Sequence, residues 1–392
     1  MSRRFLRTRA VALTFAATAA LGAAVTTPAA HADPAGRQDV ARPAPAVPQQ
    51  AGYHIRGYTV GKGNYRGAID AQTGALWLTN VSPMNNPSES AILKLDPNTM
   101  DVKKRITVTQ KADTQGHGTI AAQYEIGVPK TGNTLWTTAA AANGGEANVW
   151  DKNTGKRLKN LKGLSHSHAI VFAESIRVAA ITVTDGIRFF DMDTYEPLGS
   201  AKFPSTGKQL GAGAVVTEDG DGGATITTTS YYRDLTQFRI TRDGSGKVQS
   251  KIKWNTRQKI KEGHGSVEVD EKHRHVYVNN LWDGLSVYDL YTGKHIKDLA
   301  TGTGTNAMTV FQGKLYAANY YLGFIAVIDQ KSLSETRRLT TGLLPNQLVP
   351  WKKDTFLVID KASSILELPS GAAGSPLPPV GGDHVWKITK TS

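Results

Sequence analysis

The sequence predicts an all-β fold: a seven-bladed β-propeller of four-stranded antiparallel blades, closed by an N-terminal strand in the last blade. Three observations lead to it. His264–Gly302 reads as four short strands in a row, Ser266–Val269, His275–Val278, Leu285–Tyr288 and Ile296–Leu299, parted by polar turns. A meander of this size cannot cover both of its own faces, so it needs copies on either side. The chain supplies them in seven units, and four-stranded units at that spacing fit a radial arrangement. The two ends are complementary. Only four residues follow Val385–Ile388, too few for another strand, while Tyr53–Val60 has no blade of its own. Pairing the two closes the ring and removes an open edge.

Taken in order, Met1–Ala32 has the features of an export signal: Arg3, Arg4, Arg7 and Arg9, then the apolar run Ala10–Val25, then Ala30-His-Ala32. Its apolar run is too short for a membrane span, and no other transmembrane segment is expected. Export by the Sec route, or by the twin-arginine route through Arg3-Arg4, would yield a secreted chain cut after Ala32. Asp33–Gly52 is rich in Pro and Ala without periodicity and reads as a flexible linker. The propeller is expected to occupy 53–392.

The repeats are clearest where the third strand ends. Lys94-Leu-Asp96, Val149-Trp-Asp151, Phe189-Phe-Asp191, Val287-Tyr-Asp289 and Val327-Ile-Asp329 all run from apolar residues into a turn, with degenerate copies at Phe238–Gly244 and Val385–Lys387. An Asp side chain accepts from backbone N–H groups two or three residues on, so these aspartates are read as turn formers, not as catalytic acids. Second strands recur as Leu76–Asn80, Leu135–Thr138, Val178–Val183, Ala224–Thr229, Val276–Asn280, Leu315–Asn319 and Phe356–Ile359.

Val276-Tyr-Val-Asn-Asn280 and Leu315-Tyr-Ala-Ala-Asn319, each followed by a third strand ending in Asp289 or Asp329, resemble the YVTN-type propeller repeat. The resemblance extends as architecture over about residues 53–390, with units three and four departing from the motif. It implies a seven-bladed ring and carries no single activity.

Composition narrows the chemistry. The chain has no cysteine, which eliminates a disulfide framework, thiol nucleophiles and iron–sulfur clusters. Its formal charge of +13 falls to +9 once the four arginines of Met1–Ala32 are removed. Scattered surface lysine accounts for that excess, as does attraction to anionic envelope polymers or acidic glycans; export makes nucleic acid an unsuitable partner. There is no G-x-S-x-G, P-loop or dinucleotide fingerprint. Asp219-Gly-Asp221-Gly-Gly223 resembles the start of a calcium loop but lacks the closing glutamate.

In a propeller, second-to-third loops and blade-to-blade loops share one rim around the channel mouth. That rim is expected to carry Tyr231-Tyr232-Arg233, Trp282-Asp283 and Tyr320-Tyr321, with Asn280 and Asn319 at strand ends. Aromatic planes beside amides suit stacking and hydrogen bonding to a polar ligand, although each ring could equally pack between blades. His117, His166, His168 and His264 enter first strands on the same rim. Turned inward they could hold a divalent ion, zinc or copper; turned outward they would bond loop carbonyls. Lys361–His384 is much longer than its counterparts and could lie over the mouth as a lid.

Two readings follow. The leading one is a secreted, monomeric, non-catalytic recognition module at the cell envelope or in the medium, binding a cell-wall polymer, a glycan or a small polar ligand, with no cofactor required. The alternative is a metal-dependent lyase or lactonase at the same mouth. The ring and its histidines broadly resemble the streptogramin lyases, which would give His264 and His117 the roles of base and metal ligand. Asp283, Asp360 and Asp383 are the nearest carboxylates, too sparse for a glycosidase pair.

Overall fold

Seven sheets alternate with seven apolar layers. The computed structural model describes residues 41–391 apart from 45, 62, 83–88, 110–119, 140–144, 207–208, 259–262, 343 and 362–382. All elements below belong to the compact unit Gln38–Ser392. Blades 1 to 6 are four-stranded antiparallel meanders whose innermost strands are Asn64–Ile69, Gln123–Gly127, Ile170–Ala173, Gly211–Asp219, Val267–Asp270 and Thr305–Phe311. Blade 7 begins with Pro345–Lys352 and Thr355–Asp360, continues with Asp383–Lys390, and is completed by Tyr53–Gly61. Each innermost strand contacts the next, and that of blade 7 contacts that of blade 1, which closes the circle.

Closure is an eight-pair antiparallel ladder, with Ile55 opposite Ile388 and Tyr58 opposite Val385. The flexible-linker reading of 33–52 is corrected for its second half. Arg42–Pro43 forms a fifth, outermost strand on blade 7, opposite Thr59 and Tyr58. Ala44 N–H donates to the Gly57 carbonyl at 3.0 Å, and the Gln49 amide exchanges bonds with the backbone of Ile55. Proline lacks an N–H, so a short Pro-bearing strand suits an edge that must not recruit another chain.

Neither face of a blade is apolar enough to stand alone, and the core is divided accordingly. Each of the seven blade interfaces holds its own cluster. Trp77 fills the seam between blades 1 and 2, and Trp136 the next one; both are fully buried. At the seam of blades 6 and 7, the Tyr316 and Phe356 rings lie 4.6 Å apart.

The repeated aspartates form turns, as expected. The Asp151 carboxylate accepts from Thr154 N–H at 2.6 Å, Asp289 from Tyr291 and Thr292, and Asp329 from Lys331 and Ser332. The bonds from Thr292 hold the Asp289 carboxyl below the usual range. Asp219 and Asp221 both pair with Arg239, at 3.1 and 2.6 Å, and so are engaged within their own hairpin.

Candidate functional site at the channel mouth

The loops expected on one rim divide into exposed and buried side chains. Trp282 is 46% exposed and Tyr321 42%, each standing over a glycine in the left-handed region, Gly263 and Gly304. A Cβ at Gly304 would come within 2.6 Å of the Tyr321 ring, so the ring needs that bare backbone beneath it. Asp283 is exposed, and Tyr231, Tyr232 and Arg233 are half-buried, the two tyrosine rings meeting edge to face at 5.3 Å.

Asn280 and Asn319, expected to touch a ligand, are buried and hold the loops instead. Asn280 Oδ1 accepts from Trp282 N–H at 2.9 Å. Asn319 Oδ1 accepts from Leu322 N–H at 3.0 Å, while its Nδ2 donates to the Thr303 carbonyl at 3.1 Å. These bonds fix the loop backbone at Trp282 and at Leu322, next to Tyr321. Tyr320 is buried as well and faces inward.

His117 lies outside the described residues, as does most of the loop expected as a lid. His166 is exposed and its ring lies 6.0 Å from that of His168. His264 is buried in blade 5 with Nδ1 3.0 Å from the Asn279 carbonyl oxygen. Among the described residues no three histidine or acidic side chains converge as a ligand set for zinc or copper. Asp360 and His384 pair at 3.1 Å with almost no exposure; Trp386 Nε1 also donates to Asp360 at 3.1 Å, so this pair braces blade 7.

The densest chemistry at the mouth centres on two residues absent from the sequence-based candidates, Arg66 and Glu125, with His168, Tyr320 and Lys361 beside them. Arg66 of blade 1 pairs with Glu125 of blade 2 at 3.1 Å, each side chain 13% exposed. Arg66 Nη1 also donates to the Asn346 carbonyl of blade 7 at 2.5 Å. His168 of blade 3 lies 3.5 Å from the same Glu125 oxygen. The Lys361 ammonium stands over two rings, 4.8 Å from the centre of Tyr65 and 5.2 Å from that of Tyr320. Burial alone would raise the Glu125 carboxyl, but Arg66, His168 and Lys361 outweigh it and hold the group below its ordinary range. Burial, then the charge of Arg66, pushes the Lys361 ammonium down to about 7. Burial likewise lowers His168 despite the neighbouring Glu125.

Polar bonds between blades fix this ring of strand entries. Asn306 Nδ2 donates to Asn346 Oδ1 at 3.1 Å, and Asn346 Nδ2 to the Tyr65 carbonyl at 2.6 Å. Gly67 N–H donates to Gln347 Oε1 at 2.6 Å, and Thr79 Oγ1 to the Tyr124 carbonyl. Further round, Thr182 bonds the Ala212 carbonyl and Asn279 the Thr305 carbonyl, both at 3.0 Å. The side chains above are thus held from several blades at once, the preorganisation that a binding site requires.

Below the mouth the channel encloses about 360 Å³, walled by all seven blades and kept open by small residues such as Gly213, Ala214, Gly265 and Ala307. Glu268 lines it and accepts from Val310 N–H at 3.1 Å. Burial pushes its carboxyl up to about 7 from 4.5. Between those values the folded chain holds a proton that the unfolded chain has released, so stability falls as pH rises through that window. Glu268→Gln is expected to flatten this slope in urea midpoints measured from pH 4.5 to 7.5, and an unchanged slope would refute the assignment.

Sequence reasoning missed this buried pair, and one signal points toward it. Tyr65-Arg66 and Tyr124-Glu125 hold equivalent places in the innermost strands of adjacent blades, with opposite charge. A charged residue there must face the channel or find a partner on the neighbouring blade.

No family model matches the chain, and no curated protein matches it by sequence. Among solved structures it is similar to the β-propeller domain of Cps50 (Swd1) from Myceliophteria thermophila, at 12% identity and TM-score 0.59, covering 86% of this chain and 100% of that one. It is also similar to BamB from Moraxella catarrhalis, at 13% identity and TM-score 0.53, covering 90% and 97%. Likeness at such identities is likeness of fold.

Proposed function

We propose that the chain is a secreted, YVTN-type recognition propeller whose channel mouth binds an acidic saccharide, or another small acidic ligand, without catalysing its conversion. One observation carries this reading. Arg66, His168 and Lys361 surround the single carboxylate of Glu125 at the mouth, and the tyrosines beside them form an aromatic wall. A carboxylate entering there meets the permanent charge of Arg66 in a partly desolvated setting, where charge-assisted bonds are strongest, and its own charge favours the protonated forms of Lys361 and His168 beside it. Exposed Trp282 and Tyr321 on the rim offer planes to the apolar faces of a sugar. Export is supported by Met1–Ala32, and the YVTN assignment by units five and six.

The test is an array of acidic and neutral glycans probed with the mature chain. Acidic glycans are expected to bind, Trp282→Ala to weaken binding about tenfold, a hot-spot-sized loss, and the pair Arg66→Met with Glu125→Leu to abolish it. Binding of neutral glycans alone, or binding indifferent to these changes, would overturn the proposal. Stoichiometric zinc or copper lost on His117→Ala and His264→Ala would favour the metal-dependent lyase or lactonase.

A further inference from the structure

We infer that the seam between blades 7 and 1, on the face opposite the mouth, is a second binding surface, shaped for a linear polyanion. A groove of about 460 Å³ opens there, lined by the turns Thr73–Ala75 and Asp96–Asn98 and by Lys94, Lys103, Trp351 and Lys352. The Lys387 and Lys352 ammonium groups converge on one residue, donating to the Asn98 carbonyl at 3.1 Å and to Asn98 Oδ1 at 3.0 Å. Both also stand over the Trp351 ring, at 5.7 and 4.0 Å from its centre, and Trp351 Nε1 is tied to the Gly74 carbonyl at 3.2 Å. Arg56 lies directly opposite Lys387 in the closing ladder, and the two share the Tyr58 ring.

Like charges directly opposed on neighbouring strands destabilise a sheet. Here the pair sits in the ladder that closes the ring, and among the described residues no carboxylate forms an ion pair with either member; Asp96 offsets the repulsion at Lys387 only in part. Lys103 pairs with Asp101 at 3.5 Å, whereas Arg56, Lys94, Lys352 and Lys387 form no ion pair with a described residue. Asp96 lines the groove, but its carboxylate accepts from Asn98 N–H and Nδ2 at 2.9 Å and closes its own turn. Burial, with Arg56 and Lys352 alongside, holds the Lys387 ammonium below its ordinary value. An anionic group at Asn98 would replace this repulsion with attraction. The rings beneath are already covered by cations, so the groove offers charge in preference to stacking. Cations ranged from Arg56 to Lys103 suit successive anionic groups on one chain better than a single small anion.

The probes are inorganic polyphosphate and polygalacturonate, titrated against the mature chain; they distinguish phosphate from carboxylate as the preferred group. Binding of at least one is expected, weakening as salt rises. Lys352→Gln with Lys387→Gln is expected to weaken it at least tenfold while the melting temperature holds or rises, because like-charge repulsion is relieved. Arg66→Met with Glu125→Leu removes any share of polygalacturonate held at the mouth, and should leave polyphosphate binding, and the effect of the Lys352 and Lys387 changes measured in that background, unchanged, so the two sites fail independently. Lys159→Gln with Lys162→Gln, on blade 2, should also leave it unchanged. Binding of neither probe, binding unaffected by the Lys352 and Lys387 changes, or an equal loss in the blade 2 control would overturn the inference.

Discussion

Arg66→Ala is expected to destabilise the chain by about 3–5 kcal/mol and to abolish acidic-ligand binding, because it strands Glu125 where water scarcely reaches. The Arg66–Glu125 pair is 13% exposed on each side, and Arg66 also bonds the Asn346 carbonyl across the closing seam. Removing one partner therefore leaves a carboxylate without its cation and a carbonyl without its donor. Replacing both, as Arg66→Met with Glu125→Leu, removes both charges together and leaves only the Asn346 carbonyl without its donor, so the loss should fall to about 1–2 kcal/mol. Denaturant midpoints for the single and double variants separate the two effects. A double variant as unstable as the single would mean that the pair's desolvation is not what governs its energetics.

The second large effect belongs to a residue with no side chain. Gly213→Val is expected to cost about 3 kcal/mol or more, at the upper end of overpacking penalties. A Cβ there would lie 2.9 Å from Ser266 Cα and from Val267 N, both backbone atoms of the next blade. Backbone in a paired strand cannot retreat by a rotamer change, so the wall between blades 4 and 5 must part. Gly220, in the turn at the end of the same strand, has no positive φ, and a Cβ added to it would meet no atom within 4 Å. Gly220→Ala should leave the melting temperature unchanged. Comparable losses at both positions would point to a general intolerance of glycine replacement instead of a steric clash at the channel wall.

Some features were legible in the sequence because local chemistry dictates them. The turn aspartates Asp151, Asp289 and Asp329 fix where third strands end, and period-two runs such as Val276–Asn280 fix the second strands. Counting those marks gives seven blades and strand Tyr53–Val60 as the missing partner of Val385–Ile388. Features set by the partner across a seam were not legible. Ala41–Gly52 has no periodicity of its own, and only the exposed edge of Tyr53–Gly61 gives Arg42–Pro43 something to pair with. Asn280 and Asn319 look like ligand contacts until the loops they hold are in place. Arg66 and Glu125 stand 59 positions apart, and nothing local announces that they meet. Lys387 reads as an ordinary outward residue of the last strand, and its opposition to Arg56 follows only from the register of the closing ladder.

Every assignment of a residue to the mouth or to the seam depends on the two ends of the chain meeting in that register. The chain has no cysteine, so a single engineered pair reports on it without background. His54 and Thr389 are directly opposed, and opposed antiparallel positions lie within disulfide range. The variant His54→Cys with Thr389→Cys is expected to form an intramolecular disulfide quantitatively under mild oxidation and to gain stability on the order of 4 kcal/mol over its reduced form, as expected for a very long closed loop. Thiols that stay free in the folded protein, or that link only separate molecules, would contradict the closed ring.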